Sequence, residues 1–374
     1  MNKIRSLATI GLSDIIGNGI TAVFWFYLAT LIEPEGYGEL SYFLGIAGII
    51  SYISLIGTQN TITVYTAKKV NLQSTFYLLS LIGGTISFIV IWFVFNRLDI
   101  GLLVFGYIIM NLVIGEILGR RLYSSYSKYM LIQKILTLIL GIVFYHIFGI
   151  NGVIYGLALS YIVFTVRIYK EFRNTKLDFS LLKSRIGFTV NNYITIVVGS
   201  FNNQIDKVII MPLLGSTLLG NYALALQVVS VFMILPSIMY KYILPEDVIG
   251  NNNRNIKKLT VLVSVCLTIV GIVIIPEIIS TVFTKYDNAV EAIQIMSLAI
   301  VPNTINKVYT SKFLSIEKSR FVLISILISI AIIIPGTIIF GTMYNINGVA
   351  VAYVLSQIGQ MVFFIYVNYL LSRK

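Results

Sequence analysis

Stretches of about twenty apolar residues, separated by short segments that hold most of the charge, recur from one end of this chain to the other. Each stretch is long enough for a helix rising 1.5 Å per residue to cross a hydrocarbon layer of about 30 Å. A transmembrane barrel would instead alternate apolar and polar residues over segments of roughly ten. The composition agrees: of 374 residues, 57% are hydrophobic and 11% charged, and the mean hydropathy is +0.90. Soluble domains are about one-quarter charged. The fold class expected is therefore an all-α polytopic membrane protein.

Breaks in the apolar pattern predict twelve helices. The first six run over 7–32, 39–65, 74–95, 100–119, 127–148 and 153–170, and the second six over 185–211, 219–244, 258–280, 289–314, 321–343 and 346–371. Basic residues test this count, because they favour the cytoplasmic loops of a membrane protein. In a twelve-helix arrangement one side receives Lys3 and Arg5, Lys68 and Lys69, Arg120 and Arg121, Arg167 to Arg185, Arg254 to Lys258, Lys318 and Arg320, and Arg373 with Lys374. The opposite side has Glu33 and Glu35, Arg97 with Asp99, and Lys285 with Asp287. Both termini are thus expected in the cytoplasm, with the chain in the cytoplasmic membrane. The formal charge of +12 follows from topology, so no nucleic-acid partner is expected. Asp14 and Asn18 within the first span, and the lack of a small-residue cleavage site, mark it as a retained helix and not a secretory signal. The single cysteine, Cys266, offers neither a disulfide nor a thiolate metal site, and no metal site is expected.

One short sequence occurs twice. "INGV" stands at 150–153 and at 346–349, 196 positions apart, before the sixth and the twelfth predicted helix. Two six-helix lobes inserted in the same orientation account for this, related by a pseudo-two-fold axis along the membrane normal. "EGYGELSY" and "TLLGNYAL" give a weaker echo that aligns Gly38 with Gly220, and the segment 245–258 is the place for longer connections in the second half. The organisation expected is an N-terminal lobe over 1–170, a basic cytoplasmic connector over 171–184, and a C-terminal lobe over 185–374. Asn-Gly suits a tight turn because both residues tolerate positive φ. Behind it, Gly152, Gly156 and Ser160, and Gly348, Ala352 and Ser356, form small-residue stripes that let helices approach closely.

Three segments together resemble a known family: "LIEPEGYGELSYFLGIAGIISYISLIGTQ" at 31–59, "SFNNQIDKVIIMPLLGSTLLGNYALALQVV" at 200–229 and "FGINGVIYGLALSY" at 148–161. The set is similar to the polysaccharide-transporter branch of the multidrug/oligosaccharidyl-lipid/polysaccharide (MOP) exporter superfamily, the Wzx-type O-antigen and capsule flippases. The resemblance covers the chain in helix order and implies a MATE-like architecture of about twelve transmembrane helices. It implies a flippase that moves polyprenyl-pyrophosphate-linked oligosaccharide to the outer leaflet by alternating access, and not an enzyme. The lipid-linked oligosaccharide and the bilayer are the partners implied. Other polysaccharide-assembly membrane proteins are further partners, and the chain is expected to work as a monomer. Members commonly carry an arginine near the end of the first helix, where this chain reads "YLATLIEP".

Ionisable groups at bilayer depth are costly and mark functional candidates. Asp14, Asn18 and Thr21 share one face of the first helix, and Asn202, Asn203, Gln204, Asp206 and Lys207 form the most polar run in any span. Asn303, Asn306, Lys307 and Thr310 form a stripe on the tenth. Lys207 and Lys307 suit a pyrophosphate group, and Asn202, Asn203, Asn303 and Asn306 suit sugar hydroxyls. Asp14 and Asp206 suit ion coupling by H+ or Na+, with no other cofactor. Against this stands a structural reading in which Asp206 and Lys207, about 100° apart on the helix, each pair with a neighbouring helix. Glu116, four residues before Arg120, reads as an interfacial ion pair, and His146 as a solvated helix end. Pro236, Pro302 and Pro335 fall inside predicted helices of the second half, so the second lobe is expected to be kinked and to bend more. The alternative functions are a cation-coupled MATE-type exporter of small molecules, which fits the same architecture, and a membrane-embedded glycan polymerase or glycosyltransferase. The last calls for a large aqueous loop that the sequence does not offer.

Overall fold

A computed structural model describes residues 2–248 and 253–373. Lys374, residues 249–252 of the 245–258 connection, and the side chains of Lys3 and Arg5 lie outside what it describes. No strand occurs among the described residues, and every predicted span has its helix. In the first half these are α1 (Asn2–Leu31), α2 (Pro34–Ser54 and Gln59–Ala67), α3 (Gln73–Phe95), α4 (Leu98–Gly119), α5 (Tyr123–Phe148) and α6 (Ile150–Asn174). The second half comprises α7 (Ile186–Leu214), α8 (Ser216–Phe232 and Ile234–Val248), α9 (Arg254–Val273 and Ile275–Val282) and α10 (Ala289–Ser297 and Ile300–Ser315). The continuous stretch Ser319–Ser372 holds α11 and α12, divided by non-helical backbone at Tyr344 and Asn345.

Seven helices, or up to nine if each bent pair is one span, are long and apolar enough to cross a membrane. The chain is a multi-pass membrane protein. That count takes Ser319–Ser372 as one span and leaves out α7 and α10, which carry the polar runs.

Packing divides the chain into two compact units, Met1–Phe24 with Phe43–Gln204 and Trp25–Tyr42 with Ile205–Lys374. Both α1 and α7 therefore begin in one unit and end in the other, whereas a sequence reading places one connector between two lobes. In the first unit α4 is the central helix, 72% buried over its most apolar window and packed against α2, α3 and α6. Ile100, Val104, Ile108, Leu112 and Ile117 are fully enclosed. In the second unit the first arm of α8 plays the same part, with Leu219, Tyr222, Leu224 and Ala225 fully buried.

After α6 a short helix, Phe179–Lys183, occupies the expected connector. Asp178 caps it, accepting hydrogen bonds from Leu181 N at 2.8 Å and from Ser180 Oγ at 2.7 Å. Those donors, the backbone amide first, hold the exposed carboxyl below its usual value. The cap therefore contributes above the unfolded-state pKa and is lost as pH falls through the lower folded-state one.

The repeated INGV segments differ from the turn expected. The left-handed residues are Gly149 (φ 67) and Asn345 (φ 52), one step before each motif, and Asn151, Gly152, Asn347 and Gly348 already belong to the following helix. The glycines meet a packing need. A Cβ on Gly152 would lie 2.0 Å from the Phe144 carbonyl oxygen, and one on Gly348 1.8 Å from that of Phe340. Phe144 and Phe340 are themselves 196 positions apart, so both copies make the same contact with the preceding helix. The small-residue stripes pack as expected, with Ser160 and Ser356 fully buried.

The weaker echo also has structural meaning. A Cβ on Gly38 would lie 1.9 Å from Ser216 O, and one on Gly220 1.8 Å from Pro34 O. The first turns of α2 and α8 thus cross reciprocally inside the second unit, as in an isologous contact.

The proline expectation needs correction. Pro236 and Pro302 are each third in a helical arm, within a first turn that tolerates the missing N–H. Pro212 and Pro335 stand inside long helices, and Pro245 inside the second arm of α8. The second arm of α8 follows a 45° bend, and α2 bends by 40° with no proline at its break. There the chain passes through Gly57 and restarts at Thr58, whose hydroxyl accepts from Thr61 N at 3.2 Å. Corresponding helices of the two halves are therefore both broken.

If close approach is what these glycines provide, Gly152→Val and Gly348→Val will each destabilise the purified protein by about 1–3 kcal/mol or more, the usual cost of overpacking. Asn347→Ala should cost less than either. Thermal unfolding in detergent measures this, and a larger loss for Asn347→Ala would restore the turn reading.

Candidate functional site

Asp206 lies on α7 and is 5% exposed. Its Oδ2 accepts from the Tyr222 hydroxyl at 2.8 Å and its Oδ1 from the Lys207 backbone N at 2.8 Å. Tyr353 of α12 is a further electrostatic neighbour, and the Asn303 side chain of α10 lies near its hydroxyl. The structure thus ties Asp206 to Tyr222, a tyrosine that the sequence pattern does not single out.

Lys307 points elsewhere, to α8. Its Nζ donates to Ser237 Oγ at 2.9 Å, and its charged neighbour is Lys241. Ser237 and Lys241 are four apart and share one helix face. Tyr240, Thr304 and Ser311 line the same narrow gap as Lys307, which has no room for a water molecule. Asn306, buried one residue before Lys307, gives its Nδ2 to Gln357 O at 3.0 Å and Gln360 Oε1 at 3.2 Å, tying α10 to α12. The stripe expected on the tenth helix is therefore divided among two neighbours. Below Lys307 on the same helix, Ser311 donates to Asp247 at 2.8 Å, and Asp247 pairs with Lys257 at 2.6 Å.

The run from Asn202 to Lys207 also divides, because Gln204 closes the first unit and Ile205 opens the stretch assigned to the second. Asn202 is half-buried with an enclosed, unpartnered Oδ1, Asn203 is exposed, and the Gln204 stem lies against Gly48. In the first unit Asp14 Oδ1 accepts from the Tyr126 hydroxyl of α5 at 2.9 Å. Lys134, also of α5, is an electrostatic neighbour of Asp14. The sequence reading missed Lys134, although an ionisable residue inside "MLIQKILTLIL" meets the same criterion that selected Lys307.

Glu116 forms the expected ion pair with Arg120 and a second with Arg167 at 2.6 Å. Arg120 also binds Glu171 at 2.6 Å. Glu116 is 1% exposed, and the four-membered arrangement cancels its own charge. It joins α4 to α6 and has no surplus for a ligand. His146 is exposed at the end of α5. Among the described residues no group of three or more His, Cys, Asp or Glu is placed to hold a metal ion.

No family model matches the chain, and no curated protein matches it in sequence. Solved structures match over nearly all of it. A multidrug resistance MATE family transporter of the MOP superfamily in its inward-facing conformation superposes with a TM-score of 0.77 at 14% identity, over 97% of this chain and 98% of that one. An outward-facing conformation of a multidrug resistance MATE family transporter gives 0.67 at 15% identity, over 98% and 96%. A MOP superfamily transporter from Pyrococcus furiosus Vc1 (DSM3638), described as having a binding pocket of reverse polarity that suggests a different function, gives 0.64 at 15%, over 98% and 95%. The chain has the fold of the MATE transporters of the MOP superfamily.

Tyr222→Phe should leave the buried Asp206 carboxylate short of a donor and lower stability by about 1–3 kcal/mol. Thermal unfolding of the purified variant tests this; an unchanged midpoint would show that Asp206 is answered by other groups.

Proposed function

We propose that the protein is a MOP-type transporter whose cargo is anionic, a polyprenyl-(pyro)phosphate-linked oligosaccharide carried across the cytoplasmic membrane by alternating access. The observation that carries the reading is the placement of Lys307 on Ser237 with Lys241 as its charged neighbour. Lys307 is half-buried on a neutral hydroxyl and exposed Lys241 raises the positive potential there, so a phosphate beside Lys307 would be attracted. A cationic drug would meet the same field as a barrier. The resemblance of 31–59, 148–161 and 200–229 to polysaccharide flippases supports the glycan-lipid part of the reading. The one-sided distribution of lysine and arginine supports cytoplasmic termini. Asn202, Asn203, Asn303 and Lys207 remain proposed contacts of sugar or phosphate, whereas Asn306 has its amide committed to α12.

The second reading, a cation-coupled MATE-type exporter of small molecules, is favoured by the fold likeness itself. Reconstitution into liposomes with a fluorescent polyprenyl-pyrophosphate oligosaccharide, read by protection from an external reagent, separates the two. Wild-type vesicles should translocate the probe, and Lys307→Ala and Lys241→Ala should each slow it by roughly 10-fold or more, the size of a lost charge-assisted hydrogen bond. Vesicles indistinguishable from protein-free ones would remove the flippase reading. Unchanged rates in both variants would remove the lysines from the site.

A further inference from the structure

The end of α6 and the connector after it are pinned along one side and open along the other. Glu171 takes an ion pair from Arg120 at 2.6 Å, Thr175 O accepts from Ser74 Oγ at 3.0 Å, and the Asp178 backbone N donates to Thr75 Oγ1 at 2.9 Å. These contacts hold the segment against the end of α4 and the first turn of α3, and Asp178 then caps the short helix Phe179–Lys183. The face left open carries Lys170, Arg173, Lys176 and Lys183, all exposed. None of the four pairs with a carboxylate among the described residues. Interleaved with them stand Tyr169, Leu177 and Phe179, which are 65%, 49% and 52% exposed, and the Arg173 guanidinium lies over the Tyr169 ring at 6.0 Å. Membrane topology asks only for positive charge in such a loop. Large apolar side chains set among the charges are the composition of a segment that lies in a lipid interface.

We propose that this face is a docking surface for anionic phospholipid headgroups, with the basic side chains on the phosphates and Tyr169, Leu177 and Phe179 at the boundary with the acyl chains. The connector joins the end of α6 at Asn174 to the start of α7 at Ile186. Both of its ends therefore belong to predicted spans, which keeps its charges at the membrane surface, where the attraction of anionic lipid is felt within a Debye length. The contacts to Arg120, Ser74 and Thr75 order the segment in advance, so binding spends little on conformational entropy. A soluble acidic partner would meet the same charges, but nothing would require it to lie at the level where two helices leave the bilayer. The inference concerns the bilayer and not the cargo, so it stands or falls independently of the flippase reading.

The test is native mass spectrometry of the purified full-length protein, delipidated in detergent and titrated with phosphatidylglycerol or phosphatidylcholine. Wild type should bind phosphatidylglycerol at least roughly 10-fold more tightly, since each basic residue near an anionic surface is worth about 5-fold. Lys170→Gln, Arg173→Gln, Lys176→Gln and Lys183→Gln combined should abolish that preference. Removing as many exposed charges elsewhere in the first unit, with Lys68→Gln, Lys69→Gln, Arg121→Gln and Lys128→Gln, should leave most of it. Tyr169→Ser, Leu177→Ser and Phe179→Ser combined should weaken both lipids alike. Equal binding of the two lipids by wild type would overturn the proposal, whether or not the connector variant folds; with poly-glutamate bound instead, the face would belong to an acidic protein. An equal loss in the second set of variants would overturn it too, by placing the preference in the net charge of the protein.

Discussion

At four places in this fold a backbone carbonyl oxygen lies 2.0 Å or less from where any residue but glycine would have a Cβ. Gly38 faces Ser216, Gly220 faces Pro34, Gly152 faces Phe144 and Gly348 faces Phe340. In lipid, helix association gains little from hydrophobicity, because acyl chains are as apolar as leucine; close packing supplies much of it. These contacts therefore help to set where α2 meets α8, where α5 meets α6 and where α11 meets α12. The side chains further along each helix are placed by them. The Lys134 stem lies against Gly17, where α1 and α5 lie close, and Asn306 meets Gln360 because α10 and α12 lie side by side.

With the helices fixed, each charge at depth must be answered by a group inside the protein. Glu116 is answered by Arg120 and Arg167, Asp206 by Tyr222, and Asp14 by Tyr126 with Lys134 nearby. Lys307 differs. Its Nζ rests on the neutral hydroxyl of Ser237, and Lys241 is its electrostatic neighbour. Structural and functional polar groups are thus separated by what neutralises them, a distinction that burial alone does not make, since Asn306 and Asp206 are both 5% exposed.

The helices were legible in the sequence because lipid imposes a length on them and charge cannot be left between their ends. The twelve apolar runs and the alternation of Lys68, Arg120 and Arg254 with loops that hold little basic charge follow from that constraint. The Gly38 and Gly220 echo was legible as a repeat, but that the two glycines touch was not, because the contact belongs to the crossing of two helices 182 residues apart. INGV was read as a turn, since Asn-Gly in isolation prefers one; the packing demand on Gly152 lay in Phe144, outside the motif. Tyr222 was invisible as a partner of Asp206 because tyrosine is common in these helices and its hydroxyl gives no periodic signal. Lys134 could have been found from its position alone.

The account rests on the sign of the charge that the second unit holds out to its cargo. Initial rates of liposome transport would be compared for one oligosaccharide carried on polyprenyl pyrophosphate and on uncharged polyprenol, with a cationic dye as a third probe. Transport of the pyrophosphate form alone, slowed by free pyrophosphate in competition, is the predicted result. Transport of the dye with neither lipid form moved would contradict it.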